Sequence, residues 1–404
     1  MRSNNSKIAI ILMVAVAALI AGCAAPIKKP MEELALVRTS VFSYPTFADD
    51  LEFDGLEYSI LQSVAYLQKV PADRIYQFGP DRYDAAHLMQ SLEQFLDFIR
   101  TNPSDRDLQK FIRANYLVYQ SAGRDQEGEV LFTGYYEPHL NGRLQPDDEF
   151  RFPIYGLPDD LIKIDLSAFD QKYDGQSIVG RYTGQTVVPY YDRQEIDEEN
   201  ALDDKAEPLA WVKDPVDVFF LQIQGSGKIF LDTGEVINVH YQGSNGRPYR
   251  SIGQLLIEEQ KIPREEMSMQ KIRSYLHEHP EEMAPVLNYN PSYVFFKLEP
   301  EGPLGYLNVL LTPGRSVALD RRIFPPAALE FIQTKKPVVD STGRIDSWED
   351  FSRFVLNQDT GGAIRGPGRA DLFWGSGPYA EIAAGHLAHT GKLYFLILKP
   401  DKLK

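Results

Sequence analysis

The stretch Gln358-Asp-Thr-Gly-Gly-Ala-Ile-Arg-Gly-Pro-Gly-Arg-Ala-Asp-Leu-Phe-Trp-Gly-Ser-Gly377 sets two acids, Asp359 and Asp371, among six glycines. Glycine at this density lets backbone approach a ligand or another strand closely and tolerates positive φ. Asp371 stands between Ala370 and the apolar run Leu372-Phe373-Trp374. Such neighbours desolvate a carboxyl, raise its pKa and suit it to proton donation. A third acid, Asp320, lies upstream in Ser316-Val-Ala-Leu-Asp-Arg-Arg-Ile-Phe-Pro325. Any one aspartate beside a glycine is more often a turn cap than a catalyst. The joint pattern carries the reading.

Outward from this stretch the chain reads as short strands. Val130–Tyr136, Phe150–Tyr155, Gln185–Tyr191, Val216–Gln224, Gly227–Leu231 and Glu235–Tyr241 are rich in β-branched and aromatic residues and bounded by Gly, Pro, Asn or Asp. Strands resume at Tyr293–Lys297, Tyr306–Leu311, Lys336–Asp340, Ser352–Leu356 and Lys392–Leu398. Helical spacing marks Leu56–Lys69, Tyr83–Arg100 and Leu108–Tyr119 near the start, and Ile252–Glu259 and Ser268–His279 later. Many short strands with turn signals predict barrel-type structure rather than an alternating βαβ sheet. The fold class is α+β, β-dominated after a helical start.

The first residues read as a targeting segment. Arg2 and Lys7 form a basic start, Ile8–Ile20 is an unbroken apolar run, and Ile20-Ala-Gly-Cys23 follows. The run is short for a membrane span and suits a secretory core. Small residues before a cysteine resemble a bacterial lipoprotein signal, with residues 1–22 removed and lipid on Cys23. Ala24, by the same resemblance, favours sorting to the outer membrane, where the protein would face the periplasm. Cys23 is the one cysteine, so disulfides, a catalytic thiolate and cysteine-ligated metals are all excluded. A net charge of −15 with dispersed Lys and Arg argues against nucleic acid.

Other motifs are weaker. Asp232-Thr-Gly234 and Asp359-Thr-Gly361 form a pair that an aspartic protease would use. The first, however, reads as a hairpin turn, and Asn357-Gln358 replaces the apolar lead-in of the second. His386-x-x-His389 has no adjacent acidic ligand and reads as an ordinary loop. Glu137, in Thr133-Gly-Tyr-Tyr-Glu-Pro138, would be the second carboxylate of a two-acid glycosidase. No metal or organic cofactor is required by any motif.

In one order along the chain stand Phe132-Thr-Gly-Tyr-Tyr-Glu-Pro138, Gln222-Ile-Gln-Gly-Ser-Gly227, Tyr249-Arg-Ser-Ile-Gly253, Met267-Ser-Met-Gln270, Asn290-Pro-Ser-Tyr-Val-Phe-Phe296 and the three aspartates. Together they resemble the membrane-bound lytic murein transglycosylase A family. The resemblance implies a double-psi β-barrel of residues 50–135 and 299–404 with N-terminal helices, and an inserted, β-rich second domain of residues 136–298, itself β-barrel-like, forming the other wall of a glycan groove. Residues 23–49 would be a tether. It implies non-hydrolytic cleavage of the β-1,4 bond between N-acetylmuramic acid and N-acetylglucosamine, with a 1,6-anhydromuramoyl end as product. Asp371 would be the single acid and base, with Asp359 and Asp320 supporting it and the charge of Asp359 helping to raise the Asp371 pKa. Thr133, Gly134, Tyr135, Tyr136, Gln224, Gly225, Ser226, Arg250 and Gly361 would line the groove. The expected partners are peptidoglycan glycan strands and, through the lipid, the outer membrane; protein partners in cell-wall synthesis or division are not readable. Two rival readings are an endoglycanase hydrolase on a related barrel and a non-enzymatic peptidoglycan-binding lipoprotein.

Overall fold

The computed structural model describes residues 34–124 and 126–403. The leader and its Cys23 lie outside the described residues. The first helical pattern forms α1 (Leu56–Leu67), which follows Gly55 in the left-handed region at φ 72°. The next forms α2 (Ala85–Ile99), where the Asp84 side chain accepts from the His87 amide and Leu88, Leu92, Phe95 and Leu96 face the core. The third helix, Asp105–Asn115, stops short of the Tyr119 expected, and Tyr116–Ser121 is a strand. Tyr116, Leu117, Val118 and Tyr119 are all buried, and a continuous apolar run covered on both faces suits a strand as well as a helix.

Six strands close a barrel: β1 (Val130–Glu137), β2 (Ser316–Ala318), β3 (Leu329–Val339), β4 (Ile345–Asp359), β5 (Arg369–Ser376) and β6 (Ala388–Leu398). The ring runs β1–β6–β3–β4–β2–β5, and β5 pairs back onto β1. The β-dominated α+β class with a closed barrel is therefore the observed one. Two neighbours are parallel, β2 with β4 and β5 with β1, and parallel neighbours need long crossovers. Between β1 and β2 the chain builds a second, six-stranded sheet from strands within residues 139–299. α1 and α2 cover the barrel; the buried His87 ring bonds the Leu398 carbonyl at 2.7 Å, and the Leu398 amide donates to Ser91 Oγ at 2.9 Å.

Two strand expectations fail. Val216–Gln224 belongs to α3 (Pro215–Gln224), capped by Asp214, started by Pro215 and ended by Gly225 at φ 78°. Its Val218 and Leu221 pack on the second sheet, while Val216, Phe219 and Phe220 pack on the neighbouring helices. A helix buried on two sides loses the amphipathic period that would have identified it. Tyr306–Leu311 is turn, with one bridge between Leu304 and Leu310. A further helix, α4 (Pro378–His386), lies against β1. There Gly134 is required by space: a Cβ would meet Trp374 Nε1 at 2.6 Å and the Ala384 Cα at 2.9 Å.

One buried acid has neither oxygen paired among the described residues. Glu330 on β3 is 0% exposed, and neither carboxyl oxygen has a hydrogen-bond partner. Burial holds its carboxyl well above the ordinary value of 4.5, so the folded protein keeps it neutral. The unfolded chain releases that proton above about pH 4.5, so stability is fullest below this pH and falls as pH rises towards the folded pKa. Glu330→Gln is expected to raise the melting temperature at pH 7.5 and to leave it nearly unchanged at pH 4; parallel melting curves across that range would contradict the assignment. Gly134→Ala is expected to cost about 1–3 kcal/mol in denaturant unfolding, because packed backbone must move.

Candidate active site

The register of the three-residue strand β2 decides the site. A shift between Val317 and Ala318 sets Ala318 opposite Asp359 of β4, and on its other side Ala318 lies opposite Asp371 of β5. Asp371 in turn lies opposite Thr133 of β1. Directly opposed residues share a face, so Asp359, Ala318, Asp371 and Thr133 form one row across four strands. With strands ~4.8 Å apart, the two acids stand about two spacings from each other, separated only by the methyl of Ala318. Ala318 packs with Tyr135, Leu311 and Phe373 in a small cluster distinct from the main core. The row therefore lies on the outer side of the barrel wall.

Asp359 is the more heavily bonded acid. Its Oδ1 accepts from the amides of Thr360 at 2.8 Å and Tyr306 at 2.9 Å, and its Oδ2 accepts from the Tyr135 hydroxyl at 2.8 Å. Its position is fixed from the preceding residue. Gln358 is fully buried; its Oε1 accepts from the hydroxyls of Ser59 at 3.2 Å and Ser316 at 2.6 Å, and its Nε2 donates to the Ser59 carbonyl and Ser63 Oγ. The amide at 358 thus ties α1, β2 and β4 together directly beside the acid. Burial raises the Asp359 carboxyl to about 6, with the charge of Asp371 adding to it and the three donors opposing. Burial also keeps the Tyr135 phenol well above its ordinary value, with Asp359 adding to it, so it stays a donor.

Asp371 has one hydrogen-bond donor among the described residues. The Thr133 hydroxyl donates to Oδ1 at 2.6 Å, leaving Oδ2 free. Burial raises this carboxyl to about 6 as well, opposed by the Thr133 bond and the Arg369 charge. Of the two causes the sequence reading named, apolar surroundings and the charge of Asp359, burial is the one that raises Asp371. Asp320 is wholly buried and spent: Arg322 grips both oxygens at 2.9 and 2.7 Å, and the Gly366 amide donates at 2.8 Å. Burial works against its charge, but these partners hold its carboxyl below the ordinary range. It fastens the glycine-rich loop between the two acids.

The remaining predicted residues divide. Gln224, the last residue of α3, accepts at Oε1 from the Tyr136 amide at 2.9 Å, which brings Gly225 and the buried Ser226 up to the end of β1. Gly361 lies in the loop, its carbonyl accepting from Arg365 at 3.1 Å. Arg250 holds its guanidinium over the Tyr289 ring, and its amide donates to Asn290 Oδ1. The Asp232-Thr-Gly234 triplet is the hairpin turn expected, in the second sheet. His386 ends α4 and bonds the Ile382 carbonyl, whereas His389 on β6 packs on Trp348. Sequence reasoning does not single out Gln358 or Arg369. For Arg369 the usable signal is strand alternation, which puts residues 369 and 371 on one face.

Comparison with known proteins identifies relatives across most of the chain. The family model described as the MltA specific insert domain matches residues 131–297, and that of the 3D domain matches residues 315–397. Membrane-bound lytic murein transglycosylase A of Escherichia coli K12 is 33% identical over 307 residues, covering 75% of this chain and 74% of the relative. Its counterpart in Vibrio cholerae is 32% identical over 69% of this chain and 68% of its own. A membrane-bound lytic murein transglycosylase from Agrobacterium tumefaciens superposes with a TM-score of 0.72 at 28% identity, covering 90% of this chain and 98% of that one. Escherichia coli MltA with bound chitohexaose superposes with a TM-score of 0.70 at 26% identity, over 94% and 98% of the two chains. The chain belongs to the membrane-bound lytic murein transglycosylase A family.

Proposed function

We propose that this lytic transglycosylase cuts the β-1,4 bond between N-acetylmuramic acid and N-acetylglucosamine with Asp371 as the single acid and base, leaving 1,6-anhydromuramoyl ends. The observation that carries the proposal is the unequal bonding of the two acids. Three donors converge on Asp359 and favour its anion, while Asp371 keeps one free oxygen. A raised pKa and an open oxygen are what a proton donor needs.

The glycosidic oxygen leaves poorly until protonated. Asp371 gives it a proton as the bond to C1 breaks. The muramoyl C6 hydroxyl then bonds C1 and passes its own proton to the Asp371 carboxylate, which is thereby restored. No water enters, and the intramolecular nucleophile gains from proximity. A second carboxylate is unnecessary, and Glu137 does not supply one: it is buried and ion-paired with Lys228 at 3.2 Å. The anion of Asp359, in the same row two strands away, offsets the positive charge that grows on C1.

In this reading residues 1–22 are removed, lipid on Cys23 and the tether 23–49 hold the enzyme at the periplasmic face of the outer membrane, and the barrel of 50–135 and 299–404 faces the insert of 136–298 across the glycan strand. Thr133, Tyr135, Tyr136, Gln224 and Ser226 border the strand.

Asp371→Asn is expected to lower the release of soluble fragments from purified sacculi by at least ~10²-fold, with binding to sacculi retained. Release at wild-type rate would remove Asp371 from the chemistry. Because the acid must be protonated, the wild-type rate is expected to fall as pH rises through about 6; a rate unchanged from pH 5 to 8 would contradict the assignment.

A further inference from the structure

Arg369 is not explained by pairing. It lies two residues before Asp371 on β5 and so shares its face. Its Nη2 donates to Thr133 Oγ1 at 3.3 Å, and its Nε is buried with no hydrogen-bond partner. No carboxylate forms an ion pair with it among the described residues. A buried nitrogen left unbonded calls for a reason. The chain of bonds supplies one: Arg369 donates to the Thr133 oxygen, and the Thr133 hydroxyl donates to Asp371 Oδ1 at 2.6 Å.

A threonine hydroxyl has one proton and two lone pairs. Facing a protonated carboxyl alone, it can serve equally as donor or acceptor. As acceptor it would draw the acid proton of Asp371 away from the groove. Arg369 has no acceptor to offer, so it always donates, fills a lone pair of Thr133 and polarises the hydroxyl outward. We infer that Arg369 is a positioning residue that commits Thr133 as a donor to Oδ1 and so keeps the catalytic proton of Asp371 on the free Oδ2. This rests on the reading of Asp371 as the acid.

The same cation disfavours the neutral acid, and burial overrides it. β1 brings Thr133 and the phenol of Tyr135, β2 brings the apolar Ala318, and β4 brings Asp359 beyond it. Arg369 on β5 is the cation that bears on Asp371.

The test is a double-mutant cycle on soluble, peptide-free glycan strands, with kcat and KM followed against pH and melting temperatures measured alongside. Arg369→Gln and Thr133→Val are each expected to lower the low-pH plateau of kcat by about 10- to 100-fold, with KM within about twofold. The double variant should be no slower than the slower single one, because both break one relay. The descending limb of kcat should move to higher pH in Arg369→Gln and stay in place in Arg369→Lys, which keeps the charge. Additive losses, or a limb unmoved in Arg369→Gln, overturn the relay. Wild-type rates in Asp371→Asn would instead overturn the reading of the acid, whatever the cycle shows.

Discussion

The register of β2 against its two neighbours is the constraint on which the site depends. β2 has three residues, yet Ala318 meets Asp359 on one side and Asp371 on the other. A one-residue slip in a strand turns every side chain to the opposite face, so a slip here would send one acid into the barrel. The irregularity between Val317 and Ala318 corrects the facing on the β4 side. β2 is held from outside the sheet as well. The residue before it, Arg315, is buried in a bidentate pair with Asp49 at 2.6 and 2.8 Å, and Ser316 is bonded to Gln358. Both partners are themselves buried and further bonded, which is when such polar contacts specify rather than cost.

Given that register, chemistry follows from unequal hydrogen bonding of two like groups. Both carboxyls are raised by burial to about 6. Raising Asp371 from 3.8 to about 6 removes roughly 3 kcal/mol from the cost of presenting its neutral form near neutrality. The two differ in their bonding, with three donors on Asp359 and one on Asp371. Asp320, gripped by Arg322, accepts from the Gly366 amide and so fixes the loop that joins β4 to β5.

Much of this is legible in residues. The glycine-rich stretch announces close backbone approach, the apolar neighbours of Asp371 announce burial, and many short strands with turn signals announce a barrel. The illegible parts have physical causes. α3 is buried on two sides, so its periodicity is erased. The turn at Tyr306–Leu311 looks like a strand, yet it is held by side-chain and backbone bonds, among them the Tyr306 amide on Asp359 and the Leu310 amide on Gln62. The order of the acids cannot be read from composition, because it depends on Tyr135 and Thr133, far away in sequence and adjacent only across the β5–β1 pairing.

The central claim is that the sugar's own hydroxyl, and no water, completes the reaction begun by Asp371. Digestion of purified glycan strands in ¹⁸O-enriched water, with mass analysis of the released ends, tests it directly. The account predicts 1,6-anhydromuramoyl ends free of ¹⁸O; reducing ends carrying one ¹⁸O would show hydrolysis and contradict it.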